Sequence, residues 1–214
     1  MKVYKDLEQK SLAWFEQKWG RVGGTSAKGL HIKGDTLFLD LLSQHLEDFE
    51  PSDSFENEYT KRGNDLEPFA IEYVSDYTGH KFEAFGWLQS EKNELLGISP
   101  DGLTADLKTA CETKCFARKK HTEILYNKEI PLDNVHQLIH YFTVNPKLER
   151  LYFCAFRPES VNNYVELLTL ESEVNIGTKA RPRILPIEVV RDRSLELADE
   201  MLQRIRETQE SLKF

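Results

Sequence analysis

Ser99-Pro100-Asp101-Gly102-Leu103, followed after ten intervening residues by Glu112-Thr113-Lys114, is the stretch on which the reading of this chain turns. Pro-Asp-Gly is a turn signal, so a strand over about 95–99 should end at Asp101. A second strand, about 108–115, should then pass beside it. Glu112 and Lys114 are two apart, and in a strand both side chains leave the same face. One β-hairpin would thus aim two carboxylates and an ammonium at one point. Asp and Glu oxygens suit a hard divalent cation, and an ammonium beside it stands where a nucleophilic water would be. The reaction best served is metal-assisted hydrolysis of a phosphodiester.

Taken alone, Asp-Gly is above all a turn, and Glu-x-Lys on a strand is usually a solvated face. The neighbours argue otherwise. Ala110, Cys111 and Cys115 give the strand a buried character, and buried carboxylates need partners. A third acidic candidate, Glu67, stands in Gly63-Asn64-Asp65-Leu66-Glu67-Pro68, at the head of a helical run.

Ser-Pro-Asp-Gly, then Glu-x-Lys, with the upstream Gly-x-x-x-Glu and the downstream His136-Gln137-Leu138, resembles the phage-type alkaline exonucleases. These are the lambda exonuclease and YqaJ-like viral recombinases of the PD-(D/E)xK nuclease superfamily. The resemblance runs from about Trp14 to Pro158. It implies an α/β fold with a restriction-endonuclease-like core, a mixed β-sheet flanked by α-helices. It implies that Asp101 and Glu112 are the main ligands of one or two Mg2+ or Mn2+ ions, with the Thr113 carbonyl and Glu67 completing the set. Lys114 would orient or help deprotonate the attacking water and offset charge in the transition state. Gln137 would hold the water or the lysine.

Nearer the amino terminus, Trp14-x3-Lys18-x-Gly20-Arg21-Val22-Gly23-Gly24-Thr25 is similar to the segment with which that family binds the phosphate of a DNA end. Lys18 stands where the family has arginine, which loses the two-pronged guanidinium geometry. Thr25 stands where serine is usual and keeps the hydroxyl. Arg21 or Ser26 would substitute if the register shifts. The implied enzyme degrades one strand of linear duplex DNA, 5′ to 3′, for recombination by single-strand annealing. Its partners would be double-stranded DNA ends, an annealing protein and further copies of itself in a ring, commonly a trimer. The alternatives are an endonuclease of restriction or repair type, which has no need of the amino-terminal segment, and an inactive DNA-binding module.

Composition sets bounds. A chain of 214 residues, 40% hydrophobic and 11% aromatic, suits a single domain over 1–214 with a sizeable core. No apolar run approaches the ~18 residues of a membrane span. The first residues lack the apolar stretch of a signal peptide, and three cysteines fit a reducing cytoplasm. Three cysteines are also one short of an iron–sulfur set. The net charge of −8 is unlike a general nucleic-acid coat protein. The bases are grouped, however: Lys18, Arg21 and Lys28; Arg118, Lys119, Lys120 and His121; Lys179, Arg181 and Arg183. Arg118 and Lys119 follow the motif strand directly and suit backbone phosphates.

Apolar spacing predicts an opening helix over 7–19 ending at Gly20, and a short helix capped by Thr25 or Ser26. A helix over 37–49 should stop at Pro51, before a polar loop over 52–58. A long helix should run over 67–77 with Pro68 in its first turn, or start before the proline with a kink. Strands follow over 82–88 and through the hairpin, then a helix over 133–144 and a strand over 151–156. Residues 164–170 and 184–190 alternate weakly, as an edge hairpin would. An amphipathic helix over 194–212 closes the chain. His136 and His140 share a helix face beside Gln137, and without a third soft ligand nearby they suit packing or a polar contact. Gly20–Gly24 lacks the Lys-Ser/Thr of a nucleotide-binding loop.

Overall fold

The computed structural model describes residues 1–50 and 58–212. In chain order these form β1 (Lys2–Tyr4), α1 (Leu12–Lys18), a 3₁₀ turn at Ala27–His31, α2 (Thr36–Leu46), α3 (Glu58–Thr78), β2 (Trp87–Gln89), β3 (Gly97–Ile98) and β4 (Gly102–Leu103). They continue with β5 (Thr109–Cys115), α4 (Arg118–Asn127), α5 (Leu132–Val144), β6 (Arg150–Phe156), β7 (Tyr164–Leu168), β8 (Glu173–Asn175), β9 (Ile184–Pro186) and α6 (Ile187–Ser211). The loop expected over 52–58 lies outside the described residues, except that Glu58 opens α3.

The main sheet has the order β4-β5-β6-β7 and is mixed. β5 and β6 are parallel, and the outer pairs are antiparallel. Parallel neighbours need a long crossover, which α4 and α5 supply. Side-chain alternation along β5 then divides its roles. Cys111 joins Cys154, Phe156 and the α3 residues Ala70 and Val74 in one apolar layer. Ala110 packs on the other side with Leu138, Ile139 and Phe153. Glu112 shares that second side, so a charged residue enters the protein where α5 crosses the sheet.

The hairpin around Asp101 is built differently from the expected one. The strand before Asp101, β3, pairs with β2 in a separate sheet of order β1-β2-β3, and the partner of β5 is β4, which follows Asp101. Pro100 has no N–H to continue a ladder, so the chain changes sheets at Pro100-Asp101. Gly102 allows the next step. A Cβ there would lie 2.7 Å from Cys111 Sγ and 2.9 Å from Phe82 Cβ, so β4 approaches β5 only as glycine. Asp101 is left at the seam between two sheets.

Other boundaries also move. α3 starts well before Pro68, which sits inside the helix on its exposed side. The ~3 kcal/mol cost of an interior proline is offset by packing of the following turns, Ala70 and Val74, on β5 and β6. The basic run from Arg118 forms a helix. The segment 164–170 pairs with β6 rather than with 184–190, and β9 pairs with β8. Pro186 ends β9 and stands at the N-cap of α6, so 187–190 is helical. The strand expected from 82 begins only at Trp87, with a single bridge from Glu83 to Leu103 before it.

The amino-terminal segment is tied to the same seam. Ser11 caps α1 by accepting the Trp14 N–H at 3.2 Å. Val22 donates to Leu95 O at 2.7 Å and accepts from Gly97 N at 3.1 Å. His140 Nε2 lies 3.1 Å from Val22 O and 3.0 Å from Gly97 O, so one buried imidazole clips residue 22 and β3 to α5. No helix among the described residues is long and apolar enough to cross a membrane.

Candidate active site

Glu112 is fully buried, and each of its oxygens has a donor. Gln137 Nε2 donates to Oε1 at 2.7 Å, Lys114 Nζ lies 2.5 Å from the same oxygen, and Tyr141 Oη donates to Oε2 at 2.5 Å. Gln137 and Tyr141 are four apart on α5, one helical turn, and reach the same carboxylate from above the sheet. Charge-assisted bonds of this kind are what a buried carboxylate requires.

Asp101 faces the same space from the seam. Its Oδ2 accepts from Thr113 N at 2.7 Å and Thr113 Oγ1 at 3.1 Å, and its own N–H donates to Tyr141 Oη at 3.3 Å. The Tyr141 hydroxyl therefore accepts from Asp101 and donates to Glu112. Trp14 Nε1 and Gln9 Nε2 hold the approach to Asp101, through Ser99 Oγ at 2.7 Å and Pro100 O at 3.1 Å. Glu67, half-buried on α3, is close enough for the charges of Lys10, Glu112 and Lys114 to act on it.

The electrostatics follow from this crowding. Burial, and then the charge of Glu112, push the Asp101 carboxyl well above the usual range. Burial raises Glu67 as well, and Glu112 adds to it. Lys114 is opposed by its own burial, yet Glu112 and Asp101 raise it, so it stays an ammonium. Burial and Glu112 lift the Tyr141 phenol far above its ordinary value, which keeps it a donor. Asp101, Glu112 and Glu67 outnumber the ammonium groups of Lys114 and Lys10 that act on them, and a divalent cation would relieve that imbalance. The donors are all oxygens, as Mg2+ or Mn2+ prefers. Among the described residues no three acidic, histidine or cysteine side chains converge on one point. The side chains that fit such an ion are the neighbouring Asp101 and Glu112, with Glu67 one step away.

The phosphate candidates separate. Lys18 Nζ sits 4.0 Å from the centre of the Trp14 ring, burial lowers its pKa, and it has no acidic partner among the described residues. A desolvated ammonium over an aromatic face suits an incoming anion. Gly24 reaches the catalytic side directly, since a Cβ there would lie 3.0 Å from Gln137 Cγ. Arg21 turns elsewhere. Its guanidinium donates to Gln17 O and, at 3.2 Å, to Trp19 O, closing α1; burial lowers its pKa, and the nearby acid is Glu94. Ser26 Oγ is engaged with Gly23 N at 3.0 Å and Gly23 O at 3.2 Å. Thr25 is exposed, as are Arg118 and Lys119 on the first turn of α4.

Sequence reasoning missed Tyr141; it gave His140 a packing or polar role but not its partners Val22 and Gly97. Both carried a signal: Tyr141 lies four residues after Gln137 on one helix face, and His140 is a polar side chain within an apolar helix.

The YqaJ-like viral recombinase domain model matches residues 13–147, which contain Lys18, Glu67, Asp101, Glu112, Lys114, Gln137 and Tyr141. This chain belongs to the YqaJ-like viral recombinase family. No curated protein matches it in sequence. Among solved structures, LHK-Exo in complex with dAMP is 17% identical, with a TM-score of 0.71 over 94% of this chain and 97% of its own. The alkaline exonuclease LHK-Exo from Laribacter hongkongensis, 18% identical, gives a TM-score of 0.70 over the same shares. At that identity the likeness concerns the fold: this YqaJ-family chain shares the mixed α/β fold of LHK-Exo.

Proposed function

We propose that this YqaJ-family chain is a Mg2+- or Mn2+-dependent DNA exonuclease. It hydrolyses phosphodiester bonds of linear double-stranded DNA from the 5′ end and leaves a 3′ strand for an annealing protein in phage-type recombination. The observation that carries the reading is the buried Glu112, bonded at once to Lys114, Gln137 and Tyr141 beside Asp101. A solvated structural ion pair would have no use for so many donors. The exonuclease fold of LHK-Exo, seen with dAMP, supports it.

Asp101 and Glu112 would hold the cation, with the Thr113 carbonyl and Glu67 as further donors. When bound, the ion polarises the scissile phosphate and makes the attacking water more acidic. The protein's own groups do the rest. Lys114 is held as an ammonium, so its task is to orient the water and offset developing negative charge rather than to take a proton. Gln137 keeps the Glu112 carboxylate turned towards Lys114. Tyr141 fixes the distance between Glu112 and Asp101. Lys18, with the backbone of residues 23–25, would receive the terminal 5′ phosphate, and Arg118 and Lys119 would meet backbone phosphates. A ring-like homo-oligomer in the host cytoplasm accords with the family.

The test is digestion of end-labelled linear duplex in Mg2+, with and without a 5′ phosphate, beside closed circles and a Lys114→Ala variant. Progressive loss from phosphorylated ends, with circles spared and the variant inactive, is the expected result. Cleaved circles would replace it with an endonuclease, and a folded wild type inert on all DNA would leave a binding module.

A further inference from the structure

A second gathering of positive charge lies beside the active site and draws on four elements. Lys28 and His31 come from the 3₁₀ turn, His136 from α5, Arg183 from the β8–β9 connection and Arg193 from the start of α6. The His31 and His136 rings lie 4.7 Å apart, and His31 Nε2 is 2.9 Å from Ser194 Oγ. Arg183 and Arg193 both act on His31, and Lys28 acts on His136; with burial as the larger cause, both imidazoles are kept neutral. His136 directly precedes Gln137, and the 3₁₀ turn begins three residues after Gly24. The cluster therefore adjoins the site along two separate segments.

The β8–β9 connection that brings Arg183 here is stiff. Asn175 Oδ1 accepts from Gly177 N and Arg183 N, both at 2.9 Å. Ile176 N donates to Arg183 O at 3.0 Å and Thr178 N to Arg181 O at 3.1 Å. Gly177 packs closely on the opposite limb, since a Cβ there would collide with Arg181 O. Glu123 of α4 ties the hairpin down, meeting Lys179 at 3.2 Å and Lys120 at 3.3 Å. Pro182 and Ile184 line the groove between hairpin and α4, whereas Arg183 does not.

The acids on this surface are already engaged. Asp133 meets Lys28 at 3.5 Å, and Glu196 and Glu200 meet Arg193 at 2.8 and 3.2 Å. The exposed side chains of Arg181 and Arg183 hold no ion pair or hydrogen bond among the described residues. A rigid hairpin that carries two unpaired guanidinium groups, on a chain with net charge −8, concentrates attraction for an anion at one place.

We propose that Arg181, Arg183 and Lys28 form a phosphate-backbone track that holds the uncleaved duplex next to the active site, with neutral His136 on its inner side and the His31 N–H committed to Ser194. This rests on the exonuclease reading and extends it. Guanidinium groups clamp phosphates in two-pronged fashion, and contacts of this kind set register and affinity without reading sequence. An enzyme that digests any sequence needs such a hold, and one with an acidic surface needs it to be local.

The experiment compares wild type, Arg181→Ser/Arg183→Ser and a control, Lys147→Ser, an exposed lysine in the turn before β6. Binding of a blunt 30-base-pair duplex is measured by fluorescence anisotropy with Ca2+ over a range of KCl, and digestion of the same duplex with Mg2+. The double variant should bind roughly tenfold more weakly at low salt, and its log–log salt slope should shrink by about 2, near one per lost phosphate contact. Its KM should rise accordingly, and the control should match wild type. Affinity and slope equal to wild type would overturn the track, as would an equal loss in Lys147→Ser. A fall in kcat with affinity intact would overturn it too. Wild type that neither binds nor digests duplex would instead refute the exonuclease reading itself. Arg181→Lys/Arg183→Lys should restore most of the slope, whereas a hairpin of purely structural importance would show no such rescue.

Discussion

A single phenol oxygen ties the Glu112 carboxylate to the backbone of Asp101, the two acids on which this site depends. Tyr141 accepts from the Asp101 N–H and donates to Glu112, and no other side chain does both among the described residues. Tyr141→Phe keeps the ring in the core and removes only that link. A buried carboxylate that loses one of three donors is destabilised by about 1–3 kcal/mol. The expected result is a fall in kcat of roughly tenfold or more, with a weaker Mg2+ dependence, read from initial rates of nucleotide release at several Mg2+ concentrations. An unchanged kcat would reduce Tyr141 to packing. His140 makes a different prediction. Its folded pKa is depressed to about 4 by burial, against 6.5 ordinarily. Between those values the unfolded chain binds the extra proton, so the stability it contributes is complete above pH 6.5 and lost as pH falls through 4. His140→Gln should therefore cost about 1–2 kcal/mol at pH 7, from the poorer clip on Val22 and Gly97. That deficit should vanish between about pH 6 and pH 5 and reverse towards pH 4 in urea melts of the two proteins. A deficit independent of pH would contradict it.

Elements meet here at very close range, and the turn over 20–24 shows the consequence. Gly24 lies where a methyl group would stand 3.0 Å from Gln137 Cγ. In Gly24→Ala, Gln137 must yield by a few tenths of an ångström, and its 2.7 Å hydrogen bond to Glu112 is then stretched or broken. Activity should fall several-fold while the melting temperature changes little, because the residue that moves is a side chain at the edge of the site. A large melting shift with activity intact would reverse that argument. The same close approach marks the limit of what sequence could reveal. Asp101, Glu112 and Lys114 were legible together because turn chemistry and strand alternation follow from local order; Glu67 stood out as an upstream acid, and Gln137 came only with the family resemblance. The strand pairing of Asp101 was not, since Pro100 ends one ladder and Gly102 begins another, and only tertiary contact decides which sheet each segment joins. Pro68 misled for the same reason: packing of Ala70 and Val74 on the sheet outweighs a local helix signal. Lys18 and Arg21 look interchangeable in sequence, and only the fold shows that Arg21 closes α1 while Lys18 lies over Trp14 with no acidic partner among the described residues.

At the scale of the molecule, the site is a place where folding works against itself. Burial and mutual repulsion raise the Asp101 and Glu67 carboxyls, so without a cation the folded protein is strained by its own negative charge. A divalent ion that binds the folded state and not the unfolded one stabilises by RT ln(1 + [L]/Kd), about 2.7 kcal/mol at a hundredfold excess over Kd. Chelation with EDTA should abolish digestion and lower the melting temperature, and Mg2+ should restore both. Asp101→Asn separates the two effects. It removes one repelling charge but keeps an oxygen to accept from Thr113, so the metal-free variant should melt higher than metal-free wild type. The same change should erase the Mg2+-induced rise and the nuclease activity, a trade of function for stability typical of built sites. Thermal melts of both proteins with EDTA and across a Mg2+ titration would measure this. A variant that melts lower than wild type without metal would show that the Asp101 carboxylate is held by its hydrogen bonds more strongly than it is repelled by its neighbours. The cation would then be an addition to a settled site rather than the partner that the site is missing.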